Sequence, residues 1–404
     1  MRFFQTLSLS ALLTLGNAAA IAKDSKVKVP ELPNTDYDAV VIGGGPAGLS
    51  ALSGLARVRR NVLLLDNGLY RNGPTRHMHD VIGFDGVQPA YYRYEARRLL
   101  SYYDTVKMEN ATVVDIKAQK GDYTSFSLSV DYPGQKTKKI TARKVVLATG
   151  LKDILPDTPG IADNWGKGIF WCPWCDGHEH ADQPLGLLAP LDKVAGLVRE
   201  MATLNSNVYA FVNGTDNSTT QALADKDLPQ WREYLKLHNV TVDNRTITQV
   251  KRLKSGDTHN ADPSLPSVPE FDLFSVEFTE GKPVERAAFL TSFPDEQRSD
   301  VGEKAGVTLY GGRLQANGSA GLITNVPGIY AIGDANTDNT TNVPHALFTG
   351  KRAAVFLHVQ LERETQAVEL AGLPKREAEL QERDLWQTMN GKRGEMLYAG
   401  EFEQ

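Results

Sequence analysis

The sequence predicts an α/β chain of two Rossmann-like domains, each a three-layer ββα unit, with the first domain split in sequence around the second. Three observations carry this. A strand–glycine loop–helix–strand unit opens near Tyr37, and a second, degenerate β-α-β unit opens near Leu185. Near the C-terminus an apolar strand over 328–332 runs into Gly333-Asp334 and one more helix follows. Strands that alternate with helices in this way build parallel sheets covered on both faces.

The elements follow in order. Residues 1–20 pair one early positive charge, Arg2, with an apolar run and the small residues Ala18-Ala19-Ala20, the pattern of a cleaved secretory signal peptide. Residues 21–36 read as a polar, Pro-containing linker. The first part of the first domain spans 37–155. Its opening strand, 37–42, leads into Gly43-Gly44-Gly45-Pro46-Ala47-Gly48, a helix to about Arg57 and a strand over 61–66 ending in Asp66. Several strands are expected within 111–149, the last ending in Ala148-Thr149-Gly150. The middle domain, 156–290, holds a strand over 185–189, a helix over about 191–203 and a strand over 207–212. Residues 254–269, rich in Ser, Pro, Asp and Gly, read as an exposed loop. Near Phe289 the chain returns to the first domain, whose second part, 291–362, closes with a helix over 345–361. A charged extension, 363–404, carries no recognisable motif.

Composition narrows the class. The chain has 404 residues and a formal net charge of -5. No Lys/Arg run is present, so nothing points to nucleic acid. The N-terminal apolar stretch is shorter than the ~20 residues a spanning helix needs, and no other segment is apolar enough, so no membrane partner is expected. Sequons begin at Asn110, Asn213, Asn217, Asn239, Asn244, Asn317 and Asn339, against about three expected by chance. Leader and sequons together predict a secreted, N-glycosylated protein.

In an oxidising compartment a protein stapled by disulfides would carry many cysteines. Here there are 2, in Cys172-Pro173-Trp174-Cys175. A bridge across so short a loop restrains the unfolded chain little. Zinc is disfavoured, because no second such pair exists and His178 and His180 alone would make a cramped ligand set; no metal is expected. A redox centre is the favoured reading over a structural disulfide. Placed at a helix N-terminus, with Pro173 at its first position, the pair would have a lowered thiol pKa. Asp176 follows at once and can move protons during exchange; the plainer alternative is a first-turn acid completing the helix. His178 is a further acid–base candidate, with a solvated position favoured. Trp171 and Trp174 either line a substrate groove or pack.

The glycine loop has the full context of a dinucleotide site. Gly43 permits a tight turn, Gly45 lets backbone approach a pyrophosphate, and Gly48 allows close helix–strand packing. Pro46 and Ala47 open the helix whose free amides and dipole face phosphates. Asp66 lies 23 residues beyond Gly43, placed to accept hydrogen bonds from ribose hydroxyls.

The order of glycine loop, Ala148-Thr149-Gly150, Cys172-x-x-Cys175-Asp176 and Gly333-Asp334 resembles the low-molecular-weight thioredoxin reductase family over about residues 37–360. The resemblance implies FAD as cofactor and a homodimer. It implies that Asp334 bonds the ribityl chain and that the helix beginning at His345 and Ala346 aims its amides at the flavin. That family usually has Gln at the place of His345. By the same resemblance Cys175 faces the flavin and Cys172 is the exchange thiol.

The second unit departs from the family. Where a glycine loop for NADPH belongs, the chain reads Leu188-Ala189-Pro190-Leu191-Asp192; where a basic cluster belongs, it reads Val212-Asn213-Gly214. Electrons are therefore expected from thiols, with dioxygen as acceptor and hydrogen peroxide as product. This pattern resembles two fungal branches, secreted sulfhydryl oxidases acting on glutathione and other small thiols, and dithiol oxidases of epidithiodiketopiperazine toxins. Leader and sequons favour the first. A true NADPH-dependent reductase and an inert FAD-bound scaffold are the alternatives.

Overall fold

The computed structural model describes residues 29–257 and 268–373. The expected signal peptide, the first part of the linker, most of the 254–269 loop and the extension beyond 373 lie outside the described residues. Apart from the last turn of the final helix, everything below belongs to one compact unit, Glu31–Ala367.

The first sheet is built on parallel strands in the order Val106–Asn110, Val62–Asp66, Tyr37–Ile42 and Lys138–Leu147, with Ile329–Ala331 added beside the C-terminal half of the last. The N-terminal half of that long strand instead pairs antiparallel with Ser125–Asp131, which pairs with Thr112–Gln119. Val40, Val41, Leu63, Leu64, Val145 and Val146 are completely buried. Both sheet faces are covered, so these strands read as unbroken apolar runs rather than alternating ones. Helix Pro46–Ala56 starts on a proline, which suits the first turn because its missing N–H would have no partner there. Across its back runs helix Val343–Gly372. The crossing is close at Gly350, where a Cβ would meet the Ala47 carbonyl at 2.2 Å. Alanine at that point would push the two helices apart.

The second sheet repeats the plan. Its parallel order is Thr241–Asp243, Val208–Phe211, Leu185–Leu188, Ala288–Thr291 and Ile169–Phe170. An antiparallel layer follows, Ile247–Lys254, Leu273–Phe278 and Val284–Arg286. One boundary differs from the sequence expectation. Phe289 does not begin the return; it sits inside the second sheet, paired with Gly186 on one side and Ile169 on the other. A four-residue apolar run suits any buried strand, so periodicity could not say which sheet it joins. The return comes later, where Asp295–Gln297 pairs antiparallel with Leu151–Asp153 and forms a two-stranded ribbon between the sheets.

Candidate active site

A cleft of about 1370 Å³, its open mouth included, runs along the C-terminal ends of the first sheet's strands. Ligands of doubly wound folds bind at that edge. Gly43, Gly45, Pro46, Ala47, Asp66, Ala148, Thr149, Gly150, Gly333, Asp334 and Ala346 line it, and Cys175 and Asp176 line its far wall. Gly43 has φ +110°, and a Cβ there would lie 2.2 Å from the Ala148 carbonyl oxygen. Gly48 does not line the cleft. Its role is packing, since a Cβ would lie 1.9 Å from the Gly43 oxygen. At Gly45 the nearest atom to such a Cβ is Tyr70 Cδ1 at 4.0 Å, so the space over this backbone is open.

The donors and acceptors fit a flavin dinucleotide. Thr149 Oγ1 is buried, lines the cleft and has no hydrogen-bond partner within the chain. A buried hydroxyl of this kind costs stability until something satisfies it. Asp66 is buried at the end of its strand and already engaged. Tyr70 and Arg97 both donate to Oδ2, and the Gly68 amide donates to Oδ1 at 3.1 Å. A carboxylate offers about four acceptor sites, so capacity for a ribose remains. Asp334 ion-pairs with Arg71 at 3.2 Å. Burial raises its carboxyl above the usual range, while Arg71 pulls the other way.

The last helix corrects an expectation. It begins at Val343 rather than His345. Asn342 acts as the N-cap: its Oδ1 accepts from His345 N–H at 2.8 Å and its carbonyl accepts from Ala346 N–H at 3.0 Å. The two amides expected to face the flavin are thus satisfied within the helix. The His345 imidazole meets Asp338 at 2.7 Å and does not line the cleft, although Pro344 and Ala346 do.

Cys172 and Cys175 are joined as a disulfide, with Cα atoms 5.2 Å apart. Cys175 lines the cleft; Cys172 does not. Their helix is shorter than the sequence reading supposed, a single turn over Pro173–Asp176 followed by a 3-10 turn over His178–His180. One turn carries little macrodipole, so the groups around the pair must supply what a long helix would have. Burial, then Glu270 and Glu179, hold the Asp176 carboxyl well above the usual carboxylate range, with Arg76 opposing. His178 is exposed and outside the cleft. Trp174 is 69% exposed beside the pair, while Trp171 stacks on Trp165 at 4.9 Å.

Sequence reasoning missed the segment that follows the first domain's second strand. Arg71 donates to Asp153 at 2.6 and 3.1 Å, to Asp295 at 3.4 Å and to Asp334 at 3.2 Å, and lies 5.5 Å from the Trp171 ring. It therefore joins the linking ribbon, the cleft and the tryptophan next to Cys172. Arg76 clamps Glu270 and Asp272, and His77 and His79 line the same cleft as Asp176. His180, Glu270 and Asp272 bring ligand-type atoms within 4.8 Å of one another. Arg76 and Arg252 sit on those carboxylates, which makes the group an ion-pair network rather than a cation site. An Arg-x₄-Arg-His-x-His run has no fixed-spacing signature, and only the fold brings its partners to it.

The second sheet's glycine-poor loop is closed on itself. The Leu191 amide at the helix start donates to Thr215 Oγ1 at 3.1 Å, and that hydroxyl donates to the Val212 carbonyl at 2.6 Å. Asn213 Oδ1 accepts from Ile247 N–H at 2.8 Å. Asp192 adds a carboxylate to the first turn.

A dinucleotide cleft with a cysteine pair in its wall defines an FAD-binding disulfide oxidoreductase. Residues 37–198 match the family model described as pyridine nucleotide-disulphide oxidoreductase. A protein of Arthroderma benhamiae named a probable thioredoxin reductase is 46% identical over 353 residues, 86% of each chain. Thioredoxin reductase tcpT of Claviceps purpurea is 29% identical, covering 80% of this chain and 94% of its own. Among solved structures, the thioredoxin reductase TrxB of Bacillus anthracis matches with TM-score 0.68 at 26% identity, over 81% of this chain and 99% of that one. This chain belongs to the pyridine nucleotide-disulphide oxidoreductases, in their thioredoxin reductase-like branch, and FAD is its cofactor.

Proposed function

We propose that the protein is a secreted thiol oxidase that converts small thiols such as glutathione to disulfides, with dioxygen as the final acceptor. The observation that carries this reading is the closed second dinucleotide loop. Its first helical amide is taken by Thr215, Asn213 is tied to Ile247, and Asp192 would repel a phosphate. A cysteine pair open to substrate and a flavin cleft without a nicotinamide site leave thiols as the electron source.

The chain's residues then act as follows. A substrate thiolate attacks Cys172 Sγ; the Cys172–Cys175 bond breaks and Cys175 leaves as a thiolate. A second substrate thiolate attacks the substrate sulfur of the mixed disulfide, which frees the product disulfide and the Cys172 thiolate. Asp176 takes up and returns the protons of the two thiols. FAD, when bound, would supply the two-electron chemistry that links the reduced pair to dioxygen, so that two thiols and one dioxygen give one disulfide and one hydrogen peroxide. Gly43, Gly45, Pro46, Ala47, Thr149, Gly150 and Asp334 would hold it, with Asp66 at the ribose.

Secretion and glycosylation belong to the same proposal. All seven sequon asparagines are exposed, which supports it, and a glycan on Asn213 would further obstruct a nicotinamide. A homodimer is the expected state. Phe348, Val355 and Val359 lie exposed along the last helix and offer an apolar face for it.

Oxygen uptake with glutathione, with dithiothreitol and with NADPH, each offered separately, tests the reading. Uptake with thiols and none with NADPH is the expected result. Anaerobic flavin bleaching by NADPH would favour the reductase that the relatives' names describe. Turnover of a cyclic dithiol but not glutathione would favour the dithiol oxidase.

A further inference from the structure

Thiol oxidation releases two protons for each disulfide formed, and they must leave a wall of the cleft that is already rich in acid. Among the described residues, the carboxyl groups of Asp176, Glu270 and Asp272 gather there with the guanidiniums of Arg76 and Arg252. Asp272 and Glu270 have side chains 0% and 8% exposed. Burial and the neighbouring carboxylates hold the Asp176 carboxyl above the usual range, while their hydrogen-bonded partners hold Glu270 and Asp272 below it.

Three imidazoles could carry those protons, and the geometry separates them. His180 is 1% exposed, stacked flat on Phe170 at 5.5 Å, with Nδ1 on the Glu270 carbonyl and Nε2 3.7 Å from Glu270 Oε2. His79 lies between two acids, with Nδ1 3.4 Å from Asp85 and Nε2 3.6 Å from Glu179. His77 differs from both. Its Nδ1 lies 3.4 Å from Glu270 Oε1, its side chain is 25% exposed, and it lines the same cleft as Cys175 and Asp176.

Glu270 is itself held firmly. Arg76 grips its other oxygen, its amide donates to the Glu179 carbonyl at 2.9 Å, and its carbonyl accepts from Gln183 at 2.9 Å. That fixes the carboxylate against His77 Nδ1, on a side chain that lines the cleft and is partly exposed. A carboxylate that orients one imidazole nitrogen while the other does chemistry is the arrangement by which hydrolases keep a histidine in its working tautomer.

We propose that His77, oriented by Glu270, passes protons between Asp176 and the solvent in the cleft during thiol exchange at Cys172–Cys175. Glu270 and Arg76 are positioning residues. Imidazole suits the task because one ring nitrogen donates a proton while the other accepts one. The proposal rests on the thiol-exchange reading above.

The test is reduction of Cys172–Cys175 by dithiothreitol in the flavin-loaded protein, followed under anaerobic conditions from about pH 6 to pH 9. Rapid quench, alkylation and mass spectrometry count the reduced cysteines independently of flavin absorbance. For His77→Asn the expected result is a rate about 10²-fold below wild type near pH 7. The deficit closes to within about twofold near pH 9, where the attacking thiol ionises unaided. Added imidazole restores the rate near pH 7. His77→Asn is the informative variant because its side chain is partly exposed and asparagine keeps a polar group beside Glu270. Glu270→Gln, if it folds, gives a smaller loss that imidazole does not restore. A His77→Asn profile that follows wild type at every pH overturns the proposal. So does a uniform loss at every pH with no rescue by imidazole. If wild type itself is not reduced by dithiothreitol, the thiol oxidase reading and the relay fall together, an outcome visible before any variant is compared.

Discussion

Arg71 holds more of the active-site wall than any residue the motifs identify, and Arg71→Met is the sharpest test of that role. Methionine keeps much of the unbranched length and loses the charge. The guanidinium serves three carboxylates. Asp295 would keep Arg313, which holds it at 2.6 and 2.9 Å. Asp153 and Asp334 would lose their bonded cation, with side chains only 7% and 18% exposed. Breaking a buried ion pair in this one-sided way costs about 3–5 kcal/mol, and the Trp171 contact adds about 0.5–1 kcal/mol. The loss is pH-dependent. Burial already raises Asp334, with Arg71 opposing the rise, so removing Arg71 raises its folded pKa further. A carboxyl whose folded pKa exceeds its unfolded value contributes stability below the unfolded pKa and loses it as pH rises through the folded one. Arg71→Met is therefore weakest at neutral and alkaline pH and recovers toward acid. Urea unfolding at pH 5 and pH 8, with flavin saturation checked by absorbance, measures this. A loss below about 1 kcal/mol at pH 8, or the same loss at both pH values, would refute the reasoning.

Three further outcomes follow from single contacts. Asp176→Asn should slow thiol oxidation about 10²-fold or more in steady-state oxygen uptake. It should also raise the thermal midpoint at pH 8 relative to pH 5, because the raised carboxyl costs stability as it ionises above its unfolded pKa. Thr149→Val removes a buried hydroxyl without a partner in the chain. Fluorescence titration should show FAD bound about tenfold more weakly, while the apo protein loses no stability by calorimetry. His345→Ala should leave FAD affinity within about twofold, since that imidazole pairs with Asp338 outside the cleft; a tenfold loss would return His345 to the flavin site.

Much of the cleft was legible before the structure, for a local reason. Gly43 must be glycine for its φ of +110°, Gly48 because a Cβ would meet the carbonyl of Gly43 in the preceding turn, and Cys172 and Cys175 must sit three residues apart to close one turn. Requirements of that kind act over a few bonds and leave fixed spacings in the chain. The N-cap Asn342 leaves such a trace ahead of Val343-Pro344: an Asn cap there starts the last helix at Val343 and engages the His345 amide.

The two Rossmann-like units, the flavin-type glycine loop, the redox pair with its adjacent acid, and the missing glycine and basic residues of the second unit are all written in the chain. Folding fixes the rest: which sheet Phe289 joins, that the cysteine helix is one turn long, and which charges surround it. Arg71 meets Asp334 across 263 residues, and Arg76 meets Glu270 across 194. Ion pairing acts through space and accepts any arginine that the fold carries to any carboxylate. Such contacts impose no spacing on the chain, and the groups that set the protonation of Asp176 become visible only once it has folded.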